Sequence, residues 1–413
     1  MLIPGSTSNL VLRESSKFSF LERIYIGADG VGRFLLLLLL LFHNVGHISA
    51  QIVRPEHELR IGYLRGGVLK HKEGLLYDTP PYSDGLLLSF DTGIYQDRAW
   101  NLRIGRTMVG GDFGWIRFGD DEVLGHALFV IPKLKFFLLD RSNVKLNVHF
   151  GVGLAYLNRT YHRIDNPLNN AIGAHWNNGS NLGLSASFRL SDRAKLDLGS
   201  YLFHFSNGLT RSPNSGINAG FVNIGASYDL GKHQNRQLLS SDQVDSLIKE
   251  PAPYRWAIDF QVHQGFNQSG VPNGPTFGVR TFSLGLLYHR NSSFSMGFGF
   301  DHEYSEFRYE FWRRELLDEE TASRLAVQSS LYLTGIFHFG SISARPQVGI
   351  YLPYPQKKEG DPIYIKLLMA YHPFLHRVID PYLGVLLKTH FAVAEHFGLH
   401  AGVRYHFGRK TKN

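Results

Sequence analysis

Along most of the chain, apolar and polar residues alternate with period two. From Val144 to Tyr156 one face takes Val144, Leu146, Val148, Phe150, Val152, Leu154 and Tyr156. The other takes Lys145, Asn147, His149, Gly151, Gly153 and Ala155. Successive side chains of a strand leave opposite faces, so this spacing predicts β-strand. The pattern returns near the end, where Phe397, Leu399, Ala401, Val403, Tyr405 and Phe407 oppose His396, Gly398, His400, Gly402, Arg404 and His406. Trp256, Ile258, Phe260 and Val262 likewise oppose Ala257, Asp259, Gln261 and His263. Strands of a soluble sandwich average roughly five or six residues. These runs reach about ten or more, the length of a tilted membrane strand. Aliphatic residues on one face and glycine or polar residues on the other predict a lipid-facing exterior around a polar lumen.

Strand candidates begin near residues 56, 84, 98, 123, 143, 180, 193 and 217. A polar stretch, 232–254, then breaks the pattern. It holds a helix-like segment around Ser241–Lys249, closed by Pro251 and Pro253, and reads as a linker. About eight further candidates lie between residues 254 and 407. The predicted fold is all-β, a transmembrane antiparallel β-barrel. The second set of strands forms either a second eight-stranded barrel or part of one barrel of about 14–16 strands. The run from Asn181-Leu182-Gly183 to His204 is similar to that from Tyr382-Leu383-Gly384 to His406, which suggests an ancient duplication. The expected organisation is a leader with signal peptide (1–50), a first barrel unit (51–231), the linker (232–254) and a second half (255–413).

Composition sharpens this picture. The chain's 30 Phe, 20 Tyr and 5 Trp suit aromatic girdles, and its 43 Gly suit crowded lumen positions. Cysteine is absent, which excludes disulfides and thiolate metal sites. The formal charge of +8 suits an anionic partner. With no basic helix or arginine-rich arm, nucleic acid is excluded and phosphorylated lipid fits better. The apolar run Phe34 to Phe42 is too short to cross a bilayer as a helix. Between Arg33 and Ile48-Ser49-Ala50, it reads as a secretory signal peptide cut near Ala50–Gln51. The residues upstream of it are explained by a misplaced start codon or an unusually long leader.

The candidate chemistry lies in His204-Phe205-Ser206-Asn207, followed by Pro213-Asn214, Gly216 and Asn218. A histidine and a serine two apart on a strand leave the same face, and such a pair is the minimum equipment for acyl transfer. With the amino end in the periplasm, odd strands run outward and the seventh, Arg193–Ser206, ends at the cell exterior. Ala194, Leu196, Leu198 and Leu202 share the side of His204 and Ser206, whereas Lys195, Asp197 and Gly199 point the other way. The pair is therefore expected to face lipid, although Phe203 and Phe205 blur the alternation. A hairpin closing symmetrically about Ser212 would set Ser206 opposite Asn218. A polar trio on a lipid-facing wall is costly and usually functional. His149, His263 and His406 read as lumen fillers without metal-ligand spacing, and Asp229 and Asp259 read as structural. Residues 306–323 read as a solvated outer loop or short helix. Arg159, Arg163 and Arg211 fall in expected outer loops, where they read either as contacts to lipid phosphates or as an ordinary solvated surface.

This hairpin resembles the active-site hairpin of the lipid A 3-O-deacylases, the PagL family, within the acyloxyacyl-hydrolase-like proteins of Gram-negative outer membranes. His204, Ser206, Asn207, Pro213, Asn214 and Gly216 carry the likeness. So does Asn166-Pro167-Leu168-Asn169-Asn170-Ala171-Ile172-Gly173, which is similar to Bacteroidetes-type forms. It covers about residues 56–231. The resemblance implies an outer-membrane esterase acting on lipid A of lipopolysaccharide, at the 3-O acyl chain, without metal or cofactor. It implies Ser206 as nucleophile, His204 as base, and Asn207, Gly208 and Asn214 around the oxyanion and substrate. Where the family carries an acidic residue, fourteen positions after the histidine, this chain has Asn218. Asparagine can orient the imidazole but supplies no charge, so a slower enzyme is expected. The second half has no His-x-Ser-Asn, and its role is left open. The reading from another class is a non-enzymatic barrel, a pore or scaffold, with a degenerate site.

Overall fold

In the computed structural model the described residues are 51–52, 57–93, 107–231, 237–238, 252–268, 271–315, 318–352, 362–375, 377–390 and 393–409. The expected signal peptide and the helix-like segment Ser241–Lys249 lie outside them. Sixteen long strands form two closed antiparallel barrels of eight. The first contains β1 (His57–Leu69), β2 (Ser83–Gly93), β3 (Thr107–Arg117) and β4 (His126–Asp140). It continues with β5 (Val144–Leu157), β6 (Trp176–Arg189), β7 (Ala194–Ser206) and β8 (Ile217–Asp229). The second contains β9 (Tyr254–Gln268), β10 (Thr276–His289), β11 (Phe294–Ser305) and β12 (Val327–Phe339). Its remaining strands are β13 (Ile342–Tyr351), β14 (Ile363–Tyr371), β15 (Ile379–His390) and β16 (Val393–Arg409). Closure is by β1 on β8, from Glu58↔Asp229 to Leu69↔Asn218, and by β9 on β16. A short ladder also joins Gln51–Ile52 to Gln237–Leu238.

The single larger barrel is thus excluded, because the first and last strands of each set pair with each other. The third strand is described from Thr107, its expected start near 98 lying outside the described residues, and the last runs two residues past Phe407. The two similar runs do not occupy equivalent places. Asn181–His204 spans the sixth and seventh strands of its barrel, and Tyr382–His406 the seventh and eighth. Residues 306–323 fold largely as helix, within α1 (Glu306–Arg314) and α2 (Glu319–Ala326), with Ser305 and Asp318 as N-caps. Among the described residues no helix is long and apolar enough to cross a membrane.

Both barrels are inverted relative to a soluble protein. Ile61, Val222 and Leu333 stand 63%, 67% and 69% exposed on the outer walls. Arg60, Lys135, Asp259 and Lys366 are buried inside. In the first lumen Lys133 lies 2.5 Å from Asp112, and Lys135 bridges Glu58 and Asp91 at 2.8 and 2.7 Å. Lys195 ties Glu58 to Asp229, the aspartate expected to be structural. In the second, Asp259 holds Arg345, Arg404 and Tyr382. His149 in the first barrel, and His263 and His406 in the second, are also buried as lumen fillers. A buried ion needs a partner of opposite charge, and these networks supply one.

Toward the end where the odd strands finish, the first lumen turns apolar. Phe118, Phe129, Phe203, Phe205 and Phe221 pack together there. This is why Phe203 and Phe205 blur the alternation: they point inward, but into an aromatic plug. Stacking of Tyr201, Phe203 and Phe205 at 6.0 and 6.2 Å gives the seventh strand a rigid backing. The longer described connections, 70–82, 118–125, 158–175 and 207–216, gather at this end.

Candidate active site

On β7, Leu198, Leu202, His204 and Ser206 face outward, while Lys195, Asp197, Tyr201, Phe203 and Phe205 are buried inside. The histidine–serine pair therefore sits on the outer wall at the long-loop end. His204 Nε2 is 2.9 Å from Ser206 Oγ. His204 Nδ1 is 2.6 Å from Asn218 Oδ1. A carbonyl oxygen can only accept, so Nδ1 carries the proton and Nε2 is left as an acceptor for the serine hydroxyl. That is the tautomer a general base needs.

The register differs from the symmetric hairpin. Asn218 lies opposite His204, not Ser206, because the ladder closes about Arg211. The shift puts the asparagine beside the imidazole, where it can orient the ring directly.

The return 207–216 is built around its own side chains. Asn207 N–H donates to Asn214 Oδ1 at 2.9 Å. Asn207 Oδ1 accepts from Arg211 N–H at 3.3 Å, and its carbonyl accepts from Thr210. Its Nδ2 is buried and has no partner among the described residues. Gly208 follows with φ +64°. Gly216 has φ +79°, and a Cβ there would lie 2.9 Å from His204 Cε1. Glycine thus serves both the turn and the close approach of backbone to imidazole.

One family model, Lipid A 3-O-deacylase (PagL), matches residues 85–227. A second, Acyloxyacyl hydrolase, C-terminal domain, matches residues 256–409. The chain belongs to the PagL family. The two matches fall one on each barrel, so the second half is as much a family module as the first. The outer membrane enzyme PagL is 21% identical, with TM-score 0.31 over 40% of this chain and 97% of that one. Neisserial surface protein A is 9% identical, with TM-score 0.29 over 43% and 100%. A Rh. blastica porin mutant is 12% identical, with TM-score 0.16 over 86% and 100%. No curated protein matches the chain.

Against the PagL pattern, His204, Ser206 and Asn218 come together, and Asn207 and Gly208 adjoin them in the return. Asn214 Oδ1 accepts from the Asn207 N–H, which clasps the loop. The Asn-Pro-Leu-Asn-Asn segment proves to be a hub of the outer loops. Asn169 Nδ2 donates to Val123 and Arg159 carbonyls, and Asn170 binds Leu76 N–H and Gly74 O. From there Ala171 O accepts from Gly216 N–H at 3.0 Å, which links the hub to the return. His71, missed in the sequence, lies 3.1 Å from Ser215 O. No spacing signal announces it, because it reaches the site from the end of β1 across the barrel seam. Of the outer-loop arginines, Arg159 binds Asp121 O and Arg211 binds Asn273, while Arg163 is exposed.

A second serine–histidine–carboxylate string lies in the other barrel. Ser343 Oγ is 2.9 Å from His372 Nε2, and His372 Nδ1 is 2.9 Å from Asp380. These residues are 2%, 0% and 0% exposed inside the lumen. Unlike Ser206 and His204, they do not face the outer wall.

Proposed function

We propose that this chain is an outer-membrane hydrolase that removes an ester-linked acyl chain, the 3-O chain, from lipid A by serine–histidine catalysis. The observation that carries the reading is the outward-facing string Ser206–His204–Asn218, with contacts of 2.9 and 2.6 Å. Family membership supplies the substrate class. The outer wall supplies the location, since an acyl chain lying along the barrel can bring its ester to Ser206 without leaving lipid.

Ser206 Oγ attacks the ester carbonyl carbon while His204 Nε2 takes its proton. The carbonyl electron pair moves onto oxygen, and the Asn207 Nδ2 amide, a buried donor left over, hydrogen-bonds that oxyanion. Collapse expels the sugar oxygen, which recovers the proton from His204. Water, deprotonated by the same imidazole, then cleaves the acyl–Ser206 ester and frees the fatty acid. Asn218 holds the ring and fixes its tautomer throughout.

Lipid A mass spectrometry tests this. Cells producing the wild-type chain should lose one acyl chain from lipid A, and Ser206→Ala or His204→Ala should restore it. Deacylation by those variants at the wild-type rate overturns the reading.

A further inference from the structure

The return that carries Asn207 is gripped by the second barrel. Ser212 N–H donates to Gln268 Oε1 at 2.6 Å. Gln268 N–H donates to Leu209 O at 2.8 Å. Gln268 is the last residue of β9 and is only 6% exposed. Its Nε2 donates to Gly274 O at 2.5 Å, which fixes the amide so that Oε1 faces Ser212. Beside it Arg211 Nη2 reaches Asn273 Oδ1 at 3.4 Å. Gly208 lies flush on the same barrel, since a Cβ there would sit 2.8 Å from Phe397 Cβ.

The return needs such a grip. Gly208 and Leu209 follow each other with φ +64° and +65°. The left-handed region is costly for leucine, and such residues persist only where the surroundings over-determine them. Leu209 is the residue whose carbonyl Gln268 takes. The next links run inward: Ser212 follows Arg211, whose N–H holds Asn207 Oδ1 and so aims the free Nδ2.

We propose that Gln268 is a positioning residue for the catalytic return, and that the second barrel acts as its clamp. This rests on the proposed hydrolase reading. The carboxy-terminal half thereby acquires a role, which is to hold the oxyanion donor in register with Ser206.

The full chain is assayed on lipid A in mixed micelles, as wild type, Gln268→Leu, Gln268→Glu and Ser206→Ala. Gln268→Leu removes the acceptor for Ser212 N–H, and kcat should fall about 10- to 100-fold with KM within about threefold, since a small misplacement costs rate rather than binding. Gln268→Glu keeps an oxygen for that N–H and should recover at least about a third of the lost rate on a logarithmic scale. Equal loss in both variants, a loss carried by KM alone, or no loss overturns the clamp. Activity in Ser206→Ala instead overturns the hydrolase reading itself. Hydrogen exchange needs no turnover: the Ser212 amide should exchange at least about tenfold faster in Gln268→Leu while β7 and β8 stay protected. Unchanged exchange at Ser212 also overturns the proposal.

Discussion

Asn218 faces His204 directly across the β7–β8 ladder, with Oδ1 2.6 Å from Nδ1. The contact sets the tautomer but brings no negative charge to the imidazolium that the proposed mechanism forms. Asn218→Glu should therefore hold or raise kcat. Asn218→Leu frees the ring to rotate and to carry its proton on the wrong nitrogen, and should lower kcat by about 10²–10⁴. Steady-state kinetics of both variants on purified lipid A check this. A sharp loss in Asn218→Glu would mean the pocket beside Nδ1 cannot accept a carboxylate.

Asn207→Asp keeps the oxygen that accepts from Arg211 N–H but replaces the Nδ2 donor with an acceptor. The loop should survive while kcat drops about 10²–10³-fold, the cost of removing one oxyanion donor if the proposed mechanism holds. The paired readout is kcat against the thermal midpoint, which should move little.

Gly216→Ala places a methyl 2.9 Å from the imidazole in a backbone region that favours glycine. Stability should fall by about 1 kcal/mol, and kcat by about tenfold or more as His204 is pushed off the serine. Unfolding titrations alongside kinetics separate the two effects.

The lumens are filled by ion pairs and side chains, so reconstituted protein should conduct no ions in planar bilayers. Steady single-channel currents would instead favour a pore. Lys133→Met takes from Asp112 its ion-pair partner in the first lumen, while Asp91 keeps Lys135, and should cost about 3–5 kcal/mol. The shift of folded to unfolded protein with temperature, read by gel mobility, measures it.

Strand identity and the facing of His204 and Ser206 were legible because period-two alternation records which side meets lipid. Register was less so. Alternation is blind to a shift of two residues, such as the one that sets Asn218 opposite His204 instead of Ser206. Closure was also hidden, since β1–β8 and β9–β16 pairings join residues far apart in sequence. The likeness of Asn181–His204 to Tyr382–His406 misled about placement, because alternating strands ending in histidine resemble one another wherever they lie. Gln268 was invisible for a plainer reason: it is an ordinary glutamine at a strand end, and only the docking of one barrel on the other's loop gives it a partner.

On the proposed reading, the outward display of Ser206 makes its encounters two-dimensional. A substrate arrives by lateral diffusion, so turnover should follow the mole fraction of lipid A in the surface, not its bulk molarity. Diluting mixed micelles with inert detergent at fixed total substrate should slow the reaction, and water-soluble esters of short acids should be poor competitors.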